Sequence, residues 1–257
     1  MVRLQVRQAE LAPFAMNICT SIVGRTKAEV LNQVKALVAE KPDVLEWRAD
    51  FYEDLKASEQ VKALAGEIRE AAGEIPVIFT IRSEREGGEP IQLQEAEKVA
   101  LIETLAATGA LDIFDYELSG GKAHIETVKA AVQAYGAKLL LSFHDFDKTP
   151  EPDVLQTILS DCEAYGADIG KVAVMPHTSR DVLQVHEVTL AAVENARIPL
   201  ITIAMGRLGA PTRITGASFG SALTFAAGEQ SSAPGQVPLG LMQGVQQVLG
   251  DDAGRLS

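Results

Sequence analysis

Lys138-Leu-Leu-Leu-Ser-Phe143 runs directly into His144, and this stretch decides the fold. Three consecutive leucines with a phenylalanine beyond them leave no face for water, which suits a parallel strand covered on both sides. Working outward, short β-branched or apolar runs recur before it at Asn17 to Val23, Val44 to Arg48, Pro76 to Ile81 and Leu111 to Tyr116. They recur after it at Ile169 to Val174, Pro199 to Ala204 and Ser221 to Ala226. Amphipathic stretches with apolar residues at helical spacing lie between most of them: Lys27 to Glu40, Glu59 to Ala72, Leu93 to Thr108, Lys122 to Tyr135, Asp153 to Tyr165 and Ser179 to Asn195. Eight such units in 257 residues match the ~250 residues of a (β/α)8 TIM barrel. An open doubly wound sheet is the weaker architecture, because the turn after the first strand reads Ser21-Ile-Val-Gly-Arg25 and holds no GxGxxG. The expectation is an α/β chain forming one domain over 1–257, with 1–16 as an N-terminal extension that caps the closed end of the barrel.

The charge balance is 23 Lys plus Arg against 35 Asp plus Glu, a net −12. That excess disfavours nucleic acid and anionic membrane surfaces as partners. An anionic small molecule then needs a local cluster of cations. Cys19 and Cys162 are the two cysteines and form no CxxC, so they read as buried small hydrophobes rather than a disulfide framework or zinc knuckle. No run approaches the ~20 apolar residues of a membrane span, and the first residues, with Arg3, Arg7 and Glu10, do not read as a signal peptide. A cytoplasmic protein with reduced thiols is expected.

Residues i and i+2 of a strand face the same side. Glu46 and Arg48, Thr80 and Arg82, Asp115 and Glu117, and Ser142 and His144 therefore pair up at the ends of successive strands, with Lys171 in the sixth. The C-terminal strand ends of such a barrel form its active site, so these groups converge on one mouth. Ion pairs such as Glu46 with Arg48 or Arg82 with Asp115 account equally well for any one of them. A lone histidine is more often a hydrogen-bonded core residue.

Lys171 is harder to explain that way. Asp168-Ile-Gly-Lys-Val-Ala-Val-Met-Pro176 puts an ammonium inside an apolar strand, where an unpaired charge is costly. Burial and nearby cations, with Arg48, Arg82 and His144 as candidates, would favour the neutral amine, which attacks carbonyls. His144 is suited to moving protons near neutral pH, and Glu86 is the candidate carboxylate to orient it. No metal is expected, because no second ligand stands at suitable spacing from His144. His124, His177 and His186 read as helix or loop surface residues. The loops Glu84-Arg-Glu-Gly-Gly-Glu-Pro90 and Ser231-Ser-Ala-Pro-Gly-Gln236 would lie over the same mouth as a lid.

These motifs closely resemble the type I 3-dehydroquinate dehydratases, Schiff-base enzymes of the shikimate pathway. The resemblance runs from about Asn17 to Val248. It is carried by Leu45-Glu-Trp-Arg-Ala-Asp50, Phe79-Thr-Ile-Arg82 with Glu86-Gly-Gly88, Asp115-Tyr-Glu117, Ser142-Phe-His-Asp-Phe146, Gly166-Ala-Asp-Ile-Gly-Lys171, Met205-Gly206 with Arg213, Phe219-Gly-Ser221 and Ser232-Ala-Pro-Gly-Gln236. It implies dehydration of 3-dehydroquinate to 3-dehydroshikimate through a Lys171 imine, with His144 as general base and acid. It further implies substrate binding by Ser21, Glu46, Arg48, Arg82, Arg213, Ser232 and Gln236, with Arg213 as the carboxylate clamp. No cofactor is implied, and the partners implied are a hydroxylated cyclic keto acid and a second copy of the chain. Three positions depart from the family's habit: Tyr116 for an aliphatic residue, Gly170 for a larger one and Thr212 for serine. The residues alone leave two other readings open, a class I aldolase using the same lysine chemistry and a noncatalytic sugar-acid binder.

Overall fold

The computed structural model of the chain describes residues 2–228 and 230–249. A hairpin of β1 (Leu4–Val6) and β2 (Ala9–Leu11) opens it. Eight parallel strands follow: β3 (Asn17–Ile22), β4 (Val44–Arg48), β5 (Val77–Thr80), β6 (Ile113–Glu117), β7 (Lys138–Asp145), β8 (Ile169–Val174), β9 (Leu200–Ala204) and β10 (Leu223–Ala227). A two-residue strand, β11 (Val237–Pro238), pairs with the end of β10. The helices α1 (Lys27–Glu40), α2 (Ser58–Ala72), α3 (Glu95–Ala106), α4 (Lys122–Ala134), α5 (Pro152–Ala164), α6 (Ser179–Val193), α7 (Gly206–Thr215) and α8 (Leu239–Leu249) alternate with them. Capping boxes, Thr26 with Glu29 and Thr178 with Asp181, start α1 and α6 by satisfying otherwise orphaned N–H groups.

The ladder runs β10-β3-β4-β5-β6-β7-β8-β9. Its two ends are joined by the Ala222 N–H on the Leu200 carbonyl (2.8 Å) and the Thr202 N–H on Ser221 Oγ (3.1 Å), which closes the barrel. A repeated device fixes the register. Asp43, Asp112 and Asp168 each stand just before an even-numbered strand, and each takes a backbone N–H from the preceding strand: Ile18 at 2.8 Å, Val77 at 2.8 Å and Leu139 at 2.9 Å. Their own N–H groups return to the carbonyls of those same residues, at 3.0, 3.1 and 2.8 Å. In the fourth unit Ala222 takes that place and Ser221 Oγ supplies the acceptor.

Strand parity sorts the interior into layers. Cys19, Val44, Ile78, Ile113, Leu140, Ile169, Ile201 and Leu223, one per strand, form an apolar floor. Val6, Ala9 and Leu11 of the hairpin pack against it, so the extension caps the closed end. The outward faces bury Trp47, Phe79, Phe114, Leu139 and Leu141 under α1 to α4. Cys19 and Cys162 are both free and buried. No described helix is long and apolar enough to cross a membrane.

One expectation fails on the surface. His186 is 7% exposed, stacked on Phe219 at 4.0 Å between ring centres, with Thr215 Oγ1 3.3 Å from its Nε2. α6 turns this face onto the short 3-10 helix Gly216–Phe219, and the imidazole fills that joint as an aromatic. His177 is exposed and His124 half-buried, both in the loop or helix positions foreseen.

Candidate active site

Two residues above the floor the interior becomes polar. Ser21, Glu46, Thr80, Asp115, Ser142 and Lys171 occupy that level on β3 to β8, and all are buried. One step higher stand Arg48, Arg82, Glu117 and His144. Above them is a cleft, open to solvent, lined by Glu46, Arg48, Arg82, Glu86, His144, Lys171, Arg213, Ser232 and Gln236. Phe146, Met205 and Phe225 supply its apolar walls. Of the residues given a catalytic or substrate-binding role from the sequence, Ser21 alone is outside this lining, and Thr80, Asp115, Glu117 and Ser142 lie behind it. The Ser21 hydroxyl donates to Glu46 Oε2 (2.6 Å) and meets Ser232 Oγ (2.9 Å), so it holds the wall rather than forming it.

His144 lies in the extension of β7, beside Ala173 of β8, with Ser142 beside Lys171. Its Nδ1 is 3.0 Å from Glu86 Oε2, and the same oxygen takes the His144 N–H at 3.1 Å. Glu86 reaches it from a 3-10 turn, Glu84–Glu86, that ends at Gly87. Gly87 has φ 83°, and a Cβ there would fall 2.1 Å from the Phe146 ring, so only glycine lets this loop lie down on the β7 extension. Ser119 Oγ donates to Glu86 Oε1 (2.7 Å). Burial, then the neighbouring Glu117, pushes the Glu86 carboxyl up to about 7, against the pull of Arg82 and Ser119. Burial, then Arg82, Lys171 and Arg48, holds the His144 imidazole well below its ordinary value. Near neutral pH it is therefore a neutral base with Nδ1 engaged by Glu86.

Lys171 shares the cleft with the expected Arg48, Arg82 and His144, and carboxylates stand beside it as well. Asp115 lies 3.6 Å and Glu46 3.9 Å from its nitrogen, and Nζ lies 4.4 Å from the centre of the Phe225 ring. The reason is parity: Lys171, Glu46 and Asp115 share a layer, and the arginines rise from the next one.

The three arginines differ in what balances them. Arg48 is held bidentately by Asp50, both contacts 2.8 Å. Arg82 reaches Asp115 (2.7 Å), Glu117 (3.1 Å) and Ser142 (2.9 Å). Arg213 is 2% exposed and donates to the carbonyls of Phe225 (3.3 Å) and Pro234 (3.1 Å), while its Nε has no partner. Burial pushes its guanidinium down to about 10. No carboxylate pairs with it among the described residues, and a buried cation in that condition is built for an anion from outside. The foreseen ion pair of Arg82 with Asp115 exists, whereas Arg48 chooses Asp50 over Glu46.

The mouth is roofed by the loop 231–236. Arg48 Nη1 donates to the Ser232 carbonyl (3.2 Å), Gln236 Nε2 to Ser232 Oγ (3.0 Å) and the Gly206 N–H to the Pro234 carbonyl (3.1 Å). Gly235, with φ 77°, passes so near Gly206 that a Cβ would sit 2.1 Å from its carbonyl oxygen.

Comparison with known proteins bears on this constellation directly. The model of the family described as type I 3-dehydroquinase matches residues 18–253. The chain belongs to the type I 3-dehydroquinase family. It is 48% identical over 232 residues to a 3-dehydroquinate dehydratase of Geobacillus thermodenitrificans, which covers 90% of each chain. The crystal structure of a 3-dehydroquinate dehydratase from Geobacillus kaustophilus superposes with a TM-score of 0.93 at 46% identity, covering 96% of each chain. That of a type I enzyme from Clostridium difficile, carrying covalently modified comenic acid, gives 0.91 at 34% identity, over 97% of this chain and 98% of that one. As a member of this family of dehydratases the chain is an enzyme, a hydro-lyase.

The three departures from family habit have local explanations. Gly170 faces outward, where a Cβ would lie 3.1 Å from Leu200 and 3.2 Å from Cys162, so its absence lets α5 and β9 close up. The Tyr116 hydroxyl donates to Glu95 (2.6 Å) at the start of α3. Thr212 Oγ1 accepts the Ala204 N–H (2.9 Å) and donates to the Gly209 carbonyl (2.8 Å), tying α7 to β9 as a serine hydroxyl would. Two residues quoted in the motifs but given no role prove central: Asp50, which fixes Arg48, and Asp115, which lies under Lys171. Asp115 was already marked by the period of two that it shares with Glu117, whereas Asp50 lies in the 3-10 turn Ala49–Phe51 after β4, where that period does not apply.

Proposed function

We propose that the chain dehydrates 3-dehydroquinate to 3-dehydroshikimate through an imine on Lys171, with His144 as general base and then acid. The observation that carries this reading is that Lys171 and the Glu86-backed His144 line one cleft with Arg213, a buried guanidinium without a counter-charge among the described residues. Arg213 binds the substrate carboxylate through its planar fork. Glu46, Arg48, Ser232 and Gln236 divide the ring hydroxyls between acceptors and donors, Arg82 adds to the cationic wall, and Ser21 supports Glu46.

Lys171 gives up a proton and adds as the amine to the C3 ketone, the carbinolamine hydroxyl takes that proton back, and loss of water leaves a protonated imine that draws electrons from the C2–H bond. His144, neutral because it is buried among cations, takes the C2 proton at Nε2 to leave an enamine. The resulting imidazolium is a strong acid for the same reason and hands that proton to the departing C1 hydroxyl, while Glu86 holds Nδ1–H. Hydrolysis of the imine frees Lys171. General acid–base transfer of this kind is worth about 10² to 10⁴-fold.

The reading extends to a cytoplasmic enzyme of the shikimate pathway that forms a homodimer and folds as one domain over 1–257. Borohydride added with 3-dehydroquinate, followed by intact mass and peptide mapping, tests the covalent step. The expected adduct is on Lys171, and conjugated-enone absorbance grows without borohydride. An adduct elsewhere, or turnover without capture, rejects the imine.

A further inference from the structure

Asp115 belongs to none of the roles above and does not line the cleft. Its side chain is 1% exposed and lies under the floor of the cleft, between β5 and β8. Both oxygens are occupied: Oδ1 accepts the Ser142 hydroxyl (2.6 Å) and Oδ2 accepts Arg82 Nη2 (2.7 Å). The Lys171 nitrogen stands 3.6 Å from Oδ2 and 3.9 Å from Glu46 Oε1, both beyond hydrogen-bond length. The nitrogen is thus attracted by two anions and tied to neither.

The two anions differ in what they can do once substrate arrives. Glu46 faces the cleft and is within reach of a ligand hydroxyl. Asp115 has no path to the ligand. Burial alone would push its carboxyl up, yet Arg82 and then Lys171 outweigh that and keep it below the ordinary range, so it stays an anion and cannot serve as a proton acceptor near neutral pH.

We infer that Asp115 is a positioning residue: the buried counter-ion that stays with the Lys171 nitrogen while ammonium becomes protonated imine. This rests on the imine reading above. In that conversion R–NH3+ and O=C give R–NH+=C and water. The nitrogen loses two protons to the carbonyl oxygen, the C–O bonds break as the C=N bond forms, and one positive charge is present at both ends. A fixed anion beneath the nitrogen favours both charged forms, and the ligand-facing Glu46 is left free to change partners.

The test is Asp115→Asn, which keeps shape and hydrogen bonding but removes the charge, read by kcat, KM and the fraction of enzyme captured by borohydride across pH. The inference predicts kcat lower by roughly 10²-fold, as for loss of one oriented electrostatic group, with KM little changed. It also predicts a reduced capture yield and a capture midpoint moved to lower pH, because the ammonium has lost an anion. A purely structural role lowers the amount of folded enzyme and leaves capture per folded molecule and its midpoint unchanged, which would overturn the inference.

Ser142→Ala is the second variant. It leaves the charge but strips Oδ1 of its donor, with Arg82, Lys171, Glu46 and Glu117 still facing the carboxylate. Capture yield should then fall on the acid side as Asp115 takes up a proton, and a pH profile identical to the parent's would reject the idea even if Asp115→Asn does not fold. Absence of any Lys171 adduct in the parent enzyme overturns the imine reading itself, whereas capture in the parent with unchanged Asp115→Asn overturns only this inference.

Discussion

Replacing Glu86 by glutamine should make the enzyme more stable and much slower, and the structure sets the size of both effects. The Glu86 side chain is 4% exposed, and its carboxyl is pushed from 4.5 up to about 7 by burial and then by Glu117. The folded state thus holds that proton more tightly than the unfolded chain does. The associated stability is complete below about pH 4.5 and is lost as pH rises through about 7. A difference of about 2.5 units at 1.36 kcal/mol each is about 3 kcal/mol. Glutamine stays neutral at every pH, and its amide can keep the His144 N–H on its oxygen while the Ser119 hydroxyl rotates to accept from its nitrogen. At pH 8.5 the variant should therefore gain about 2–3 kcal/mol, a rise in Tm of roughly 5–10 °C for a chain of this size. At pH 5, where the parent carboxyl is itself protonated, the gain should nearly vanish. The same amide cannot balance the imidazolium, so kcat should fall roughly 10² to 10³-fold, as for one lost electrostatic contact in a closed site. Calorimetry at the two pH values together with kcat is the assay. Equal Tm differences at both pH values would refute the reasoning, since the effect would then owe nothing to ionisation.

Other substitutions divide the chemistry. Lys171→Ala should abolish borohydride capture, and His144→Ala should retain capture while losing turnover by at least about 10²-fold; near-parental kcat in the histidine variant would remove it from the proton-transfer role. Arg213→Ala should weaken binding of the carboxylate substrate by about 2–3 kcal/mol, seen as a raised KM with residual kcat, and an unchanged KM would move the carboxylate site elsewhere. Asp168→Ala, at the closed end, removes the acceptor of the Leu139 N–H and should cost about 1–3 kcal/mol of stability without changing kcat; an unaltered melting temperature would show that clamp to be idle.

The fold was legible because the barrel strands are buried on both faces, so each appears as a short apolar run whatever its neighbours. The hairpin of β1 and β2 was legible only as an extension: three-residue strands carry too little pattern to read. The aspartates at 43, 112 and 168 escaped notice for a different reason. A single Asp before a β-branched residue looks like any turn residue, and its meaning depends on a strand more than twenty residues away. His186 was misread because a polar residue on an amphipathic helix looks solvent-facing until Phe219 is known to stack on it.

In the site, the sequence supplied the members and some of their partners, Glu86 for His144 and Asp115 for Arg82, but not Asp50 for Arg48. Period-two parity places Glu46, Thr80, Asp115, Ser142 and Lys171 at one level and Arg48, Arg82, Glu117 and His144 at the next, and carried through it would have put carboxylates beside Lys171 as well as arginines above it. Parity fails where side-chain reach takes over. Arg82 starts in the upper level and spans both, binding Glu117 in its own layer and Asp115 and Ser142 below. Arg48 takes Asp50, two residues on in the turn after β4, so two of the three guanidiniums are balanced from inside. The cation left over, Arg213, comes from α7 rather than from a strand, where no period-two rule applies. Its lack of a counter-charge among the described residues follows from the pairing of the others, and a substrate anion is what this arrangement of charges leaves room for.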